Sequence, residues 1–403
     1  MSNKPLEGIK VVELSTFVAA PGCARILADL GAEVIKVEGL TGDPWRERGR
    51  NLIGRGDQEN PIYDVYNCGK RSIRVNIKDP KGLDCLVKLI EAADVFITNT
   101  RAKSLKKLGL DAETLHEKFP RLIIATIDGF GSKGPDAASP GFDNVAFWTR
   151  SGFLLDMAVD TEGGYPVLPP TGVGDSVAGS TMSSGIMAAL FARERTGKGD
   201  IVAISLYGTA IWMMGSMILR AQPKYGERFP QKRDEANPFI TQYRCGDGQW
   251  VTLTVIEYAR YCDALYKTLG IYDEVTALGV TDYQSMQQHK AQVIKLMEKA
   301  FANKPMAEWL ELLAAENIVV GKMNHFRDVS EDEQAWANGF IEEYRTPNGE
   351  TCVMPCTPIK LASLQQEASR PAPLSGEHTA EILGELGYSE QDIKEMMETK
   401  AVL

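Results

Sequence analysis

Asp175 stands in the segment Gly172-Val173-Gly174-Asp175-Ser176, directly before a long run of small and apolar residues. A carboxylate in that position can attack an electrophilic carbonyl. The two glycines remove Cβ atoms that would keep a ligand from the backbone, and they permit a sharp strand-to-helix turn. Val177 to Arg195 reads as a helix, and its Ala178, Gly179, Ser180, Ser183, Ser184, Gly185, Ala188 and Ala189 predict close packing on both sides. Thr196-Gly197-Lys198-Gly199 ends that helix with glycine just past the last turn. At the N-terminus of a buried helix, unpaired N–H groups and the dipole would hold the carboxylate ionised and available as a nucleophile. The same five residues also fit a purely structural reading, in which Asp175 is an N-cap.

The elements that must position this aspartate alternate strand and helix. Strands are expected at Ile9–Leu14, Glu33–Val37, Ile73–Ile77, Val95–Thr98 and Leu122–Ile127. Helices are expected at Pro21–Leu30, Lys81–Ala92, Ala102–Leu108 and Ala112–Lys118. This is the rhythm of a doubly wound, Rossmann-like parallel sheet, an α/β fold. Its ligands should lie at the carboxyl ends of the strands, around Ser15–Val18, Asn99–Arg101 and Asp128–Gly131. Glu38 closes the second strand where a ribose-binding acid would stand, but the first turn, Ser15 to Gly22, has no G-x-G-x-x-G. Nicotinamide and flavin dinucleotides are therefore not expected, and Glu38 reads as a solvated strand-end acid or a partner of Lys36. Arg46, Arg48 and Arg50 read as a solvated loop face, with phosphate contact as the alternative.

A proline-, glycine- and charge-rich connector, Gln222 to Pro230, divides the chain. After it come a hairpin at Phe239–Cys245 and Gln249–Val255 and helices at Tyr258–Leu269, Gln287–Phe301 and Met306–Glu316. Three parts are expected: a large Rossmann-like domain over 1–222, a smaller α+β domain over 223–330, and a segment over 331–403 that returns to the large domain. The 403 residues carry a net charge of −10, which disfavours a nucleic-acid partner. No apolar run approaches the ~18 residues needed to span a bilayer, so a cytoplasmic enzyme with no membrane partner is expected. The seven cysteines are scattered, with only Cys352 and Cys356 close together, and imply neither a metal site nor a disulfide framework.

Six ordered blocks together resemble a family: Leu6–Leu14, Gly31–Glu38, Asn67–Ile73, Gly172–Ser176, Arg195–Asp200 and Pro373–Thr379. The chain is similar over almost its whole length to the class III CoA-transferases, which include formyl-CoA, carnitine and bile-acid CoA-transferases. Within that family it most resembles members that pass CoA between 2-hydroxy acids and enoyl acids in amino-acid fermentation, such as the phenyllactate and 2-hydroxyisocaproate enzymes. The segments that carry this are Ser139–Asp143, Asn237–Ile240 and Glu331–Asn338. Oxalate-type relatives carry a basic residue where Pro140 stands, a glutamine where Val18 stands, and a glycine-rich lid loop with no counterpart near Asn237. Phe17, Val18 and Phe142 would give a more apolar pocket, suited to an aliphatic or aromatic acyl chain.

The resemblance implies further residues and partners. Lys78, Asn99, Thr100 and Arg101 are placed near the CoA nucleotide, and Phe17 and Val18 against adenine or pantetheine. Lys107 replaces a family arginine, keeping the charge and losing the bidentate fork. Lys70 and Arg71 are open between ligand contact and solvated charge. Gly141, Phe142 and Asp143, placed among the substrate and CoA contacts, match the G-H-D segment of the α-methylacyl-CoA racemases, which share the fold, but a phenylalanine cannot shuttle a proton. His378 belongs to the tail motif and is expected to fix a C-terminal turn. The implied reaction runs through aspartyl anhydrides and an aspartyl-CoA thioester on Asp175, with acyl-CoA and a small carboxylic acid as substrates and no metal or other cofactor. The resemblance also implies a homodimer of two interlocked chains. The competing expectations are a different class III substrate (carnitine- or formyl-type), a racemase-like acyl-CoA isomerase, and a non-catalytic interaction protein.

Overall fold

Six strands form one parallel sheet in the order β3-β2-β1-β4-β5-β6. They are β1 (Lys10–Leu14), β2 (Glu33–Glu38), β3 (Arg71–Arg74), β4 (Val95–Thr98), β5 (Ile123–Asp128) and β6 (Ile201–Ser205). The computed structural model describes residues 4–53, 60–158, 165–230, 232–362 and 368–403. Between the strands run α1 (Ala19–Asp29), α2 (Pro44–Ile53), α3 (Pro61–Asp64), α4 (Pro80–Glu91), α5 (Ala102–Leu108), α6 (Ala112–Lys118), α7 (Phe153–Asp156) and α8 (Val173–Thr196). After β6 come α9 (Leu206–Met213) and α10 (Gly215–Arg220). The expected doubly wound α/β class is the observed one, and the strand order reverses between β1 and β4, where such sheets open a ligand crevice.

Alternation along the strands builds two cores. Val11, Ile97 and Ala125 face Ala20, Ala24, Leu27, Ala178, Met182 and Ile186 of α1 and α8. Val12, Phe96 and Ile124 face the opposite side with Leu86, Ile90, Leu105 and Leu115. The close approach of α1 and α8 depends on Gly179, where a Cβ would lie 2.5 Å from the Ala19 carbonyl oxygen. The expectation that α8 is packed on both sides is not met within one chain. Ser180, Ser184, Ala188 and Phe191, spaced along one face, are exposed.

Residues 1–227 and 333–403 form one unit, and residues 228–332 a second. In the second, β7 (Ile240–Arg244), β8 (Trp250–Thr254) and β9 (Val320–Lys322) make an antiparallel sheet. It carries α11 (Tyr258–Thr268), α12 (Tyr272–Ala277), α13 (Tyr283–Gln288), α14 (Lys290–Phe301) and α15 (Met306–Ala315). Its core centres on Tyr243 stacked on Phe301 at 4.7 Å and on Trp309, whose indole donates to the Phe301 carbonyl at 2.9 Å. In the first unit the tail adds α16 (Glu333–Ala337), the hairpin β10 (Ile341–Arg345) and β11 (Thr351–Pro355), α17 (Thr379–Glu385) and α18 (Glu390–Glu398).

The tail protects the free edge of β3. The Ser72 N–H donates to His378 Nδ1 at 3.3 Å, the His378 N–H to the Ser72 carbonyl at 2.9 Å, and the Leu403 N–H to the Arg74 carbonyl at 3.1 Å. Thus His378 fixes the C-terminal turn, and the sheet presents no unpaired backbone there.

Candidate active site

The first turn of α8 differs from the sequence expectation in one consequential way. The helix begins at Val173, and Gly172 is its N-cap, with a left-handed φ of 93°. Asp175 is therefore the third helical residue and not the cap. That role falls to Asp143, the first residue of a π-helical turn, Asp143–Thr149. Its Oδ2 accepts the Gly172 N–H at 2.9 Å, and its Oδ1 faces the N–H groups of Gly174 and Asp175 without a bond of ordinary geometry. Only glycine fits at 174, because a Cβ would lie 2.2 Å from Asp143 Oδ1 and 2.6 Å from Phe147 Cγ.

Two carboxylates thus share one helix N-terminus. Asp143 is buried and uses the N–H groups, whereas Asp175 is half-buried and is left without them. Burial, then the Asp143 charge, pushes the Asp175 carboxyl up to about 7. Burial also raises Asp143, against the opposing pull of the Gly172 N–H. The expectation that the helix terminus would hold Asp175 strongly ionised is overturned, since its donors serve the neighbour. Among the described residues no lysine or arginine acts on the Asp175 carboxyl group. The result is a carboxylate poised near neutrality and unusually basic for its type, a suitable nucleophile or proton acceptor.

Aromatic and apolar groups surround this turn. A Cβ on Gly172 would meet the Tyr66 hydroxyl at 3.3 Å and Val18 Cγ1 at 3.5 Å. Tyr66 also lies close enough for Asp175 and Asp143 to add to the rise that burial imposes on its phenol. Val18 is buried at the start of α1, and Phe17 before it has a left-handed φ of 68°. The Phe17 ring meets Phe142 edge-on at 5.6 Å, and Phe142 is 60% exposed. Gly141 sits so tightly on Gly129 that a Cβ on either would come within 2.6 Å of the other's Cα, which fixes Phe142 and Asp143 beside the end of β5.

Other expected residues lie at the sheet's switch point or on the surface. The Asn99 side chain accepts the Thr16 N–H at 3.1 Å and donates to the Thr16 carbonyl at 2.6 Å, tying the loop after β4 to the loop after β1. Thr100 follows, with its N–H on Thr98 Oγ1 at 3.1 Å. Lys78, Arg101 and Lys107 are exposed, and none of the contacts at Asp175 involves them.

Sequence reasoning missed Tyr66 and a buried ionic network beneath the crevice. Glu13 Oε1 accepts from Lys36 at 2.8 Å and Oε2 from Lys70 at 2.7 Å, while Asp43 Oδ2 lies 3.0 Å from the Lys36 ammonium. Burial alone would raise Glu13, but the two ammonium groups outweigh it and bring it to about 2. Glu38 is buried rather than solvated, held by a two-pronged Arg46 at 2.8 and 2.6 Å and by Ser72 at 2.7 Å, and the Lys36 charge acts on it as the alternative reading expected. Arg46 is likewise no solvated loop residue, since it stacks over Tyr63 at 4.0 Å, and Lys70 is wholly engaged by Glu13, Pro21 and Asn67. One signal was available: Glu13 and Lys36 occupy apolar strands, where an unpaired charge would be prohibitive, and they are register partners across β1 and β2.

This arrangement has close parallels. Residues 6–379 match the family described as CoA-transferase family III. The (R)-2-hydroxy-4-methylpentanoate CoA-transferase of Clostridioides difficile is 38% identical, with 98% of this chain and 99% of that protein aligned. The cinnamoyl-CoA:phenyllactate CoA-transferase of Clostridium sporogenes is 36% identical, over 98% of this chain and 97% of its own. In three dimensions the crystal structure of Rv3272 from Mycobacterium tuberculosis superposes with a TM-score of 0.81 at 26% identity, covering 95% of this chain and all of that one. Matched over nearly its whole length in both sequence and fold, the chain belongs to CoA-transferase family III and is a transferase.

Proposed function

We propose that this enzyme moves CoA between an acyl-CoA and a small carboxylic acid, a 2-hydroxy acid such as 2-hydroxyisocaproate or phenyllactate, with Asp175 as nucleophile. The observation that carries the mechanism is the half-buried Asp175 carboxyl, raised to about 7 with no cation acting on it among the described residues, on the first turn of α8. The substrate class is supported by the acids named for the two clostridial relatives and by the apolar surroundings that Phe17, Val18 and Phe142 provide.

An oxygen of ionised Asp175 attacks the donor thioester carbonyl, and CoA leaves as thiolate from a mixed aspartyl anhydride. The thiolate then attacks the aspartyl carbonyl, releasing the donor acid and forming an aspartyl-CoA thioester. The acceptor carboxylate attacks that thioester and expels the thiolate again. Attack of the thiolate on the acyl side of the second anhydride gives the new acyl-CoA and restores Asp175. One thioester is exchanged for another throughout, so the sequence is complete without a metal or redox cofactor. Every intermediate is open to hydrolysis, and the apolar side chains around Gly172 serve to exclude water. The Gly172 N–H is bonded to Asp143 and so is not available to steady the oxyanion. The Tyr66 hydroxyl is the neutral donor beside the turn and takes that role in this reading.

Lys78, Arg101 and Lys107, with Asn99 and Thr100, are assigned to the nucleotide end of CoA, where exposed cations can meet phosphate. The racemase-like alternative is disfavoured by Phe142, which offers no proton-transfer group where a histidine is required. A homodimer fits the apolar surface of the single chain, notably Trp212 at 79%, Leu155 at 74% and Phe191 at 66% exposure. The test is exchange: the protein is mixed with 2-hydroxyisocaproyl-CoA or cinnamoyl-CoA and a different free acid, and the acyl-CoA products are separated by chromatography. Formation of the second acyl-CoA supports transfer. Hydrolysis alone, or epimerisation of the donor without exchange, would overturn it.

A further inference from the structure

Asp43 has no place in the chemistry above, yet one of its oxygens gathers two aromatic residues, Phe17 from the loop after β1 and Trp45 from the first turn of α2. Oδ1 accepts the N–H of Phe17 at 3.2 Å and the N–H of Trp45 at 2.9 Å. The other oxygen lies 3.0 Å from the Lys36 ammonium, itself fixed by Glu13, and the Asp43 N–H donates to Glu38 Oε2 at 2.8 Å. Asp43 and Lys36 are buried, so this carboxylate is anchored from beneath and reaches no ligand itself.

What it holds is strained. A bulky residue at φ 68° occupies the left-handed region that glycine tolerates and phenylalanine does not, at a cost the surroundings must offset. Three features offset it here. Asn99 clamps both backbone groups of Thr16, the preceding residue; Asp43 takes the Phe17 N–H; and the Phe17 ring is set edge-on against Trp45 at 6.3 Å and Phe142 at 5.6 Å. Val18, next along the chain, touches Gly172 at the head of α8. The held ring therefore forms an aromatic wall beside the turn that carries Asp175.

We propose that Asp43 is a positioning residue for the acyl-CoA site, acting through Phe17: its carboxylate locks the left-handed turn that presents the Phe17 ring to the acyl-CoA. This rests on the transferase reading. The lock should govern ground-state binding more than the chemical step, because the ring makes apolar contact while Asp175 performs the reaction.

A double-mutant cycle tests it, with wild type, Asp43→Ala, Phe17→Gly and the double variant, reading KM and kcat for 2-hydroxyisocaproyl-CoA and CoA binding by calorimetry. Glycine takes the turn without help but lacks the ring. Each single change is expected to raise KM about tenfold with kcat within about threefold, a size in keeping with the strain being released. The double variant should match Phe17→Gly to within about twofold, since Asp43 then has no Phe17 ring left to position. Asp43→Asn, which keeps an acceptor oxygen for the Phe17 N–H, should recover most of the lost affinity, and it keeps the test open if the alanine variant fails to fold. Multiplying effects, giving about a hundredfold loss in the double variant, would overturn the proposal, as would a folded Asp43→Ala with unchanged KM. Wild type that binds no CoA and exchanges no acyl group would instead bring down the transferase reading, and this inference with it.

Discussion

Two groups of buried carboxylates lie in the same unit and are treated in opposite ways. Beneath the β1–β2 loops, Glu13, Glu38 and Asp43 are each matched by Lys36, Lys70 or Arg46, and the glutamates are held near 2 against the burial that would raise them. At the head of α8, the Asp143 charge adds to burial on Asp175, no cation acts on Asp175 among the described residues, and its carboxyl is driven up to about 7. Backbone N–H groups stabilise one member of that second pair only. The contrast separates charge used for architecture, which is neutralised pairwise, from the charge that the proposed mechanism uses, whose proton affinity is raised by withholding a partner.

The comparison breaks most visibly at Asp175. Asp175→Asn removes the nucleophile and should lower exchange by at least about 10⁴-fold, on the scale of losing a covalent catalyst; a chromatographic exchange assay retaining a few per cent of wild-type rate would contradict the assignment. Next in size, Glu13→Gln leaves two buried ammonium groups short of an anion and should cost about 3–5 kcal/mol in denaturant unfolding. A cost below about 1 kcal/mol would mean the network is not a structural unit.

Smaller effects sharpen the picture. Reaction needs ionised Asp175, so kcat/KM should rise with pH along a limb near 7. Asp143→Asn removes the like charge and should move that limb down by about one pH unit, whereas an unmoved limb would mean that Asp143 does not act on Asp175. The stability of the Asp175→Asn variant should run the other way from its activity. Because the folded carboxyl binds its proton more tightly than the unfolded one, whose ordinary value is 3.8, wild-type stability falls as pH rises from about 4 to 7, and the whole penalty is present above 7. The asparagine variant should therefore be more stable than wild type by about 1–2 kcal/mol at pH 8, allowing for solvent screening of a half-buried group, with the gap closing toward pH 4. Thermal melts across that range would show it.

Much of this was legible in the chain. Apolar runs and helical periodicity located five of the six strands of the large sheet and helices α1, α4, α5, α6 and α8 within a few residues, because buried strands and amphipathic helices impose those patterns directly, whereas β6 and α2, the latter read as a loop, went unseen. Gly172, Gly174 and Asp175 marked the strand-to-helix turn of the candidate site for the same local reason. What stayed hidden depends on contacts between distant residues. Asp143 caps α8 from 29 positions away, so nothing near Asp175 could say which acid received the N–H groups, and the N-cap reading and the ionised reading failed together. Tyr66 reaches the turn only through the fold. Arg46 and Glu38 looked solvated because local composition cannot show that a C-terminal segment, through Pro373 and Ser375, closes over them.

The central claim, that Asp175 becomes acylated and then thioesterified, is tested most directly by intact-protein mass spectrometry. Wild type and Asp175→Ala are mixed with 2-hydroxyisocaproyl-CoA, phenyllactyl-CoA or cinnamoyl-CoA, and trapped with hydroxylamine or borohydride. The account predicts a modification that maps to Asp175 in wild type with at least one donor and is absent from the variant. No adduct with any of the donors in a protein that binds CoA, or the same adduct in the alanine variant, would contradict it.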